Sequence, residues 1–405
     1  LSLWQIISGK EDKLKARQIK KDVWWVGAID WDRRLFDSLI PLPDGTSYNA
    51  YLIKGKDKVA LIDSVDPTMT EILLNHLKMV DRLDYIISLH AEQDHSGAIP
   101  DVLKKYPEAK IISGSQAKEM LADLLHLPQD KIIPVEDGEK LQLGQRTLHF
   151  LYTPWVHWPE TMCAYLEEER ILFSCDFFGS HLATSDLYVT DEGRVIEAAK
   201  RYYAEIMMPF RKIIQKNLEK ISAWPFEIIA PSHGPLYDKP EFIIQAYREW
   251  ASDNPKNLVV IPYVSMHGST SRMVRYLVSA LMERGMEVRQ FFLPETDMGK
   301  LAISLVDAAT VVLGTPTVHV GAHPLAAFAA SLLNILRPKV KFLSVVGSYG
   351  WSTKMVEQIA SLVTNIKAEI LPPVLAKGKP READFRALDS LAETIYQKHQ
   401  ALRLL

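Results

Sequence analysis

Along the first half of the chain the apolar positions fall in short runs bounded by Gly, Pro, Asp and Lys. Val23-Trp24-Trp25-Val26, Ala50-Tyr51-Leu52-Ile53 and Val59-Ala60-Leu61-Ile62 read as successive strands of a sheet. Asp66-Pro67 then supplies an N-cap with proline at the first helical position, and Leu73, Leu77 and Val80 give the helix an apolar stripe. Further strands are predicted over 85–89, 110–113, 147–152, 170–175 and 227–231, and helices over 116–125, 195–207, 210–221 and 240–250. After the polar stretch 251–257 the pattern becomes strict alternation. Strands over 258–262, 288–293, 310–313, 340–346 and 368–371 are separated by helices over 273–282, 301–306, 324–336 and 355–366, with a last helix within 384–405. That is the pattern of a doubly wound parallel sheet.

A chain of 405 residues is too long for one ordinary core, so two domains are expected, 1–253 and 254–405. With 47 basic and 50 acidic side chains the net charge is −3, which gives no field favouring nucleic acid or an anionic membrane. The two cysteines, Cys163 and Cys175, form no Cys-x-x-Cys pair, and neither a disulfide framework nor an iron–sulfur motif is present. The expected setting is the reducing cytoplasm, with no targeting segment and no spanning helix.

The chemistry lies where strands end. His90, Glu92, Asp94 and His95 fall within six consecutive positions just past the strand 85–89. His157 follows the strand 147–152 in a loop stiffened by Pro154 and Pro159. Asp176 follows the strand 170–175 and leads into Phe177-Phe178, and His233 follows the strand 227–231. A buried carboxylate needs a cation or strong donors, so four strand ends carrying these residue types point to one convergent metal site. His126 and His149 read as structural instead.

In the second domain three predicted loops share one sheet edge. They are Ser265-Met266-His267-Gly268-Ser269-Thr270, then Thr315-Pro316-Thr317-Val318, then Gly347-Ser348-Tyr349-Gly350-Trp351-Ser352. Amides and hydroxyls at a helix start can cradle a phosphate, glycines admit close backbone approach, and Tyr349 or Trp351 can stack on a flat ring. The arrangement resembles flavodoxin and implies FMN. A response-regulator-like sheet would need acidic residues at the first strand end, and they are absent.

The first domain resembles the metallo-β-lactamase αββα sandwich. Hydrolases of that fold usually carry His-x-His-x-Asp-His, and here Glu92 replaces the second histidine. With the fused flavodoxin-like domain, this makes the chain resemble a flavodiiron protein, also called an A-type flavoprotein, over nearly all of residues 20–405. The resemblance implies two iron ions held by His90, Glu92, Asp94, His157, Asp176 and His233, with Asp176 as the bridge. His95 turns away from the metal in some members and binds in others. Tyr203 or Tyr202 takes the place of a tyrosine that often supports the ligands. The implied activity is reduction of dioxygen to water, of nitric oxide to nitrous oxide, or of both. FMN would relay electrons from an external donor such as rubredoxin or reduced coenzyme F420, within a head-to-tail homodimer or a dimer of dimers. Two ferrous ions and reduced FMN together supply the four electrons dioxygen requires. The alternatives are a zinc-dependent hydrolase with a flavodoxin-like regulator, which Glu92 argues against, and a non-catalytic electron carrier, which the full ligand set argues against.

Overall fold

The computed structural model describes residues 15–405; the charge-rich opening residues 1–14 lie outside it. Packing divides the chain into two compact units. The first comprises the residues up to Ala199 together with Lys212–Tyr247, and the second Lys200–Arg211 together with Arg248–Leu405. Segment 200–211 groups with the second unit because Asp297 grips Arg201 through both guanidinium nitrogens, at 3.0 and 2.8 Å, and Asp307 holds Lys200 at 2.6 Å.

The first unit is built on two sheets. One runs β1 (Arg17–Lys20), β2 (Val23–Trp25), β3 (Tyr51–Lys54), β4 (Val59–Ile62), β5 (Tyr85–Ser88), β6 (Lys110–Gly114) and β7 (Ile132–Val135), in that spatial order. The other runs β8 (Lys140–Gln142), β9 (Thr147–Tyr152), β10 (Met162–Leu166), β11 (Ile171–Cys175) and β12 (Ile228–Pro231). Side chains alternate between the faces of the first sheet. Trp25, Tyr51, Ile53, Ile62 and Ile87 meet Phe150, Ala164 and Phe173 of the second sheet, while Leu52, Leu61 and Ile86 face the helix residues Leu73, Leu77, Val102 and Leu121. The second sheet's other face is covered as well: Trp224 packs on Tyr165 with ring centroids 5.2 Å apart, and the Asn217 amide donates to the Pro154 carbonyl. Each fully buried Leu, Ile or Phe in this sandwich contributes about 1.5–3 kcal/mol.

Strand β10 lies at the centre of the second sheet and was not anticipated from sequence. All five of its residues are buried, so the period-2 alternation that reveals a half-buried strand is missing. The predicted helix 195–207 is α-helical over Glu192–Tyr202 and continues as a π-helical turn, Tyr203–Met207.

In the second unit β13 (Leu258–Tyr263), β14 (Glu287–Phe292), β15 (Thr310–Val318), β16 (Phe342–Tyr349), β17 (Glu369–Ile370) and β18 (Val374–Lys377) pair in parallel. The order is β14-β13-β15-β16-β17, and β18 also joins β16. The predicted fifth strand is thus two short pieces. The order reverses between β13 and β15, and a crevice opens at such a switch point, beyond the carboxyl ends of the strands.

Candidate metal centre and flavin edge

Each metal-site side chain is delivered by a strand end that the surrounding chain holds in place. Beyond β5, Glu92 begins a short helix, Gln93–Ser96, that carries Asp94 and His95. Ser96 Oγ donates to the Ala91 and Glu92 carbonyls, and the His95 carbonyl accepts from both the amide and the hydroxyl of Ser64, each at 2.6 Å. Gly97 closes the turn where any Cβ would stand 2.3 Å from the Gln93 carbonyl oxygen and 2.6 Å from Pro67 Cγ. After β9, Thr161 Oγ donates to the Thr153 carbonyl at 2.6 Å and ties off the loop that presents His157. After β11 comes Asp176, followed by the stacked rings of Phe177 and Phe178, 4.1 Å apart and backed by Tyr247. Beyond β12, His233 Nδ1–H donates to the Ser47 carbonyl at 2.7 Å. Asp63, Trp155, Cys175 and Phe178 all have positive φ, between 53° and 70°. Such left-handed non-glycine residues collect at functional sites, where surrounding structure enforces them.

These strand ends form two half-sites around Asp176. On one side His90 Nε2 and His157 Nε2 lie 3.1 and 3.0 Å from Glu92 Oε2, and each is 3.5 Å from Asp176 Oδ2. On the other, His95 Nε2 and His233 Nε2 lie 3.3 and 3.2 Å from the Asp94 carboxylate, and 3.1 and 3.3 Å from Asp176 Oδ1. His95 therefore points into the cluster. Burial alone would push these imidazoles down, but the carboxylates outweigh it: Asp176 and Glu92 raise His157 to about 10, and Asp176 and Asp94 raise His233 to about 9. Glu92, Asp94 and Asp176 thus bring three carboxylates together, Asp94 and Asp176 buried and Glu92 partly so.

The structure also places residues that the sequence did not single out. Glu160 is hydrogen-bonded to His90 Nδ1 at 2.6 Å, and Trp158 meets the His90 ring edge-on at 4.9 Å. Ligand atoms of Asp63 and Cys175 lie within 4.8 Å of one on His95, and burial pushes Asp63 up to about 6. His181 lies 4.8 Å from the His233 ring and is held by Thr46; burial and His233 keep it neutral. The available signal was an acidic or imidazole side chain within an apolar, proline-flanked loop, which is too common to be decisive. Tyr203 belongs to the second unit, where it packs on Trp250 with Arg211 and Asp307 as its charged neighbours. His149 pairs with Glu167 and packs against Trp224, in keeping with a structural role.

At the switch-point edge of the second unit, Gly268 has φ +83° and open space where a Cβ would stand. It precedes the helix Ser269–Met282, whose N-terminus has no side-chain cap on its first residue, although Ser265 Oγ accepts from the Ser271 amide. Thr270 and Ser348 join the first and third loops at 3.1 Å. Met266, His267, Gly350, Trp351 and Ser352 are exposed around this edge, Trp351 at 74%. Other residues expected here shape the loops from within. Thr315 and Pro316 are buried, Thr315 Oγ donates to the Pro316 carbonyl, and Gly347 packs against the Thr315 carbonyl, where a Cβ would come to 2.3 Å. Thr317 hydrogen-bonds Thr353; Val318 and Tyr349 are half-buried.

A family model described as ODP family beta lactamase matches residues 46–234, and a flavodoxin model matches residues 261–388. The nitric oxide reductase of Moorella thermoacetica is 35% identical over 93% of this chain and 97% of its own. The coenzyme F420H(2) oxidase of Methanothermobacter marburgensis is 32% identical over 95% of this chain and 99% of its own. The solved rubredoxin oxygen:oxidoreductase from Desulfovibrio gigas superposes with a TM-score of 0.93 at 31% identity, covering 96% of this chain and 100% of that one. The chain belongs to the flavodiiron protein family. As a flavodiiron protein it is an oxidoreductase with FMN and a non-haem diiron centre as its cofactors, and the hydrolase alternative is not favoured.

The residues present fit both groups of a flavodiiron protein. Asp94 and His95 Nε2 are buried and meet only one another and the other members of the cluster, a crowding of like groups that a cation relieves. The nitrogen and carboxylate donors of the two half-sites suit iron. The open space at Gly268 and Gly350, beside the start of the helix Ser269–Met282 and an exposed indole, suits a phosphate and a flat ring.

Proposed function

We propose that this flavodiiron protein reduces dioxygen to water, nitric oxide to nitrous oxide, or both. One iron would be held by His90, Glu92, His157 and Asp176, and the other by Asp94, His95, His233 and Asp176. The observation that carries this is Asp176, whose two oxygens each face a separate set of imidazoles and carboxylate. When bound, a ferrous pair and reduced FMN supply the four electrons for dioxygen or the two that couple a pair of nitric oxide molecules. The chain's own contribution is placement. Asp176 sets the spacing of the half-sites, and the carbonyl of Ser47, which can only accept, keeps the His233 proton on Nδ1 and its Nε2 lone pair facing inward. A cavity of about 290 Å³, lined by Phe36, Leu124 and Trp158 with Arg33, Asp37 and Asp66, opens onto Glu92 and Asp94 and is wide enough for a diatomic gas.

FMN would lie on the loops from Ser265 to Thr270, Thr315 to Val318 and Gly347 to Ser352, and take electrons from an external donor, reduced F420 or rubredoxin. Relatives named for each donor support both. A head-to-tail homodimer, or a dimer of dimers, with one subunit's FMN facing the other's irons, is the assembly that the family resemblance implies. No described helix is long and apolar enough to cross a membrane, and both cysteines are free and buried; a cytoplasmic setting accords with these features. The test is to reduce the protein anaerobically and pulse it separately with each gas, following flavin and iron absorbance and assaying water, peroxide and nitrous oxide. Reoxidation by at least one gas is expected; failure of both overturns the proposal. Sedimentation showing an active monomer would overturn the dimer.

A further inference from the structure

Among the ligand imidazoles His90 is held in a distinctive way. Its Nδ1 lies 2.6 Å from Glu160 Oε1, and both side chains are fully buried. The same Glu160 oxygen accepts the Ala91 amide at 3.0 Å, so the carboxylate grips the ring and the backbone that carries it. Glu160 Oε1 takes both of these bonds, and no other side chain bonds Oε2, which is buried. For His233 the corresponding acceptor is a neutral carbonyl, that of Ser47. Glu160 sits in the loop that presents His157, tied off by Thr161 through the Thr153 and Trp158 carbonyls. One loop therefore delivers a ligand to the first half-site and the residue behind that half-site's other imidazole.

We propose that Glu160 is a positioning residue for the first half-site: it fixes the His90 proton on Nδ1, sets the ring plane, and makes Nε2 the more basic donor toward the metal beside Glu92. A carboxylate behind a ligating imidazole raises its basicity, and loss of such a partner typically costs about 10–100-fold in metal affinity. This rests on the reading that the two half-sites hold a metal pair. Two variants separate charge from shape. Glu160→Gln keeps an oxygen that accepts from His90 and Ala91 but removes the charge; Glu160→Leu removes the acceptor.

The experiment loads wild type and both variants anaerobically with ferrous iron. It measures iron per chain, the rate of release to a chelator, and the exchangeable imidazole N–H signals in the paramagnetically shifted proton spectrum. In wild type two irons per chain and a solvent-protected N–H signal for His90 are expected. In Glu160→Gln one iron leaves about 10–100-fold faster while the other keeps its wild-type rate, and the His90 signal shifts. In Glu160→Leu the fast iron is lost and the signal disappears. The unchanged second iron marks a local effect, since a general loss of fold would release both. Two irons released at wild-type rates from both variants would overturn the role of Glu160 and leave the ligand reading standing. Wild type that takes up no metal would overturn the ligand reading, and this inference with it.

Discussion

Replacing His95 by leucine tests whether the second half-site is a full metal site. In the structure that half-site has four protein donors, Asp94, His95, His233 and Asp176 Oδ1, and His95 Nε2 is 3.1 Å from Asp176 and 3.3 Å from Asp94. Structural zinc sites with four protein ligands bind with about 10–16 kcal/mol, or roughly 3 kcal/mol for each donor, a scale taken over to this site. Losing one donor therefore weakens binding roughly 150-fold, at about 1.4 kcal/mol per factor of ten. The short helix itself should survive, because Ser64 holds the His95 carbonyl and not its ring. Iron analysis after passage over a chelating resin should find one iron per chain in the variant and two in wild type. The flavin content should be equal, since the change lies in the other unit. A variant that keeps two irons with unchanged chelator resistance would show that His95 donates nothing to the metal.

Further outcomes follow from other parts of the molecule. Gly234→Ala should destabilise the protein by about 2–4 kcal/mol in denaturant melts, since the residue has φ +80° and its Cβ would stand 2.0 Å from Ser180 Oγ; wild-type stability would refute this. Metal uptake by the apo protein at pH 7.5 should release at least two protons per chain, because His157 and His233, raised to about 10 and 9, must lose theirs to ligate, and the neighbouring carboxylates raise His90 and His95 as well. With folded values above the unfolded 6.5, these groups stabilise the apo protein most below that value, and the contribution fades as pH rises through 9 to 10. Calorimetry in buffers of differing ionisation enthalpy, finding no proton transfer, would contradict it. Burial pushes Glu205 from 4.5 up to about 8, with Asp297 adding to it against Arg201. Its cost is absent below about pH 4.5 and grows towards pH 8, so Glu205→Gln should gain about 1–3 kcal/mol at pH 8.5 and markedly less at pH 6. An equal effect at both pH values would count against this.

The layered architecture was readable wherever burial is one-sided or loops are short. Ile62 and Ile87 alternate with Leu61 and Ile86, and the second half alternates strand and helix without interruption. Strand β10 was not readable, because burial on both faces erases alternation. Nor was the role of segment 200–211, whose helical pattern is indifferent to the unit it packs in; Asp297 and Asp307, a hundred residues on, decide that. Tyr203 shows the same effect, since its position after Asp176 in sequence does not determine which side chains surround its ring.

For the metal centre, residue types at four strand ends pointed to His90, Glu92, Asp94, His95, His157, Asp176 and His233, and the fold gathers these side chains into one cluster, because a strand's end fixes where its next side chain begins. The class of chemistry was also written in the chain, in the carboxylate of Glu92 and the fused second sheet. The pairing of donors was not. That His90 shares Glu92 with His157, that His95 turns inward to Asp176, and that Glu160 stands behind His90 are matters of side-chain direction, and apart from the neighbours His90 and Glu92 the partners lie 65 to 81 residues apart. Direction of that kind is set by packing between two sheets, which no local pattern encodes. The sequence determined which donors exist and which strands bring them; the tertiary structure alone decided which donor faces which.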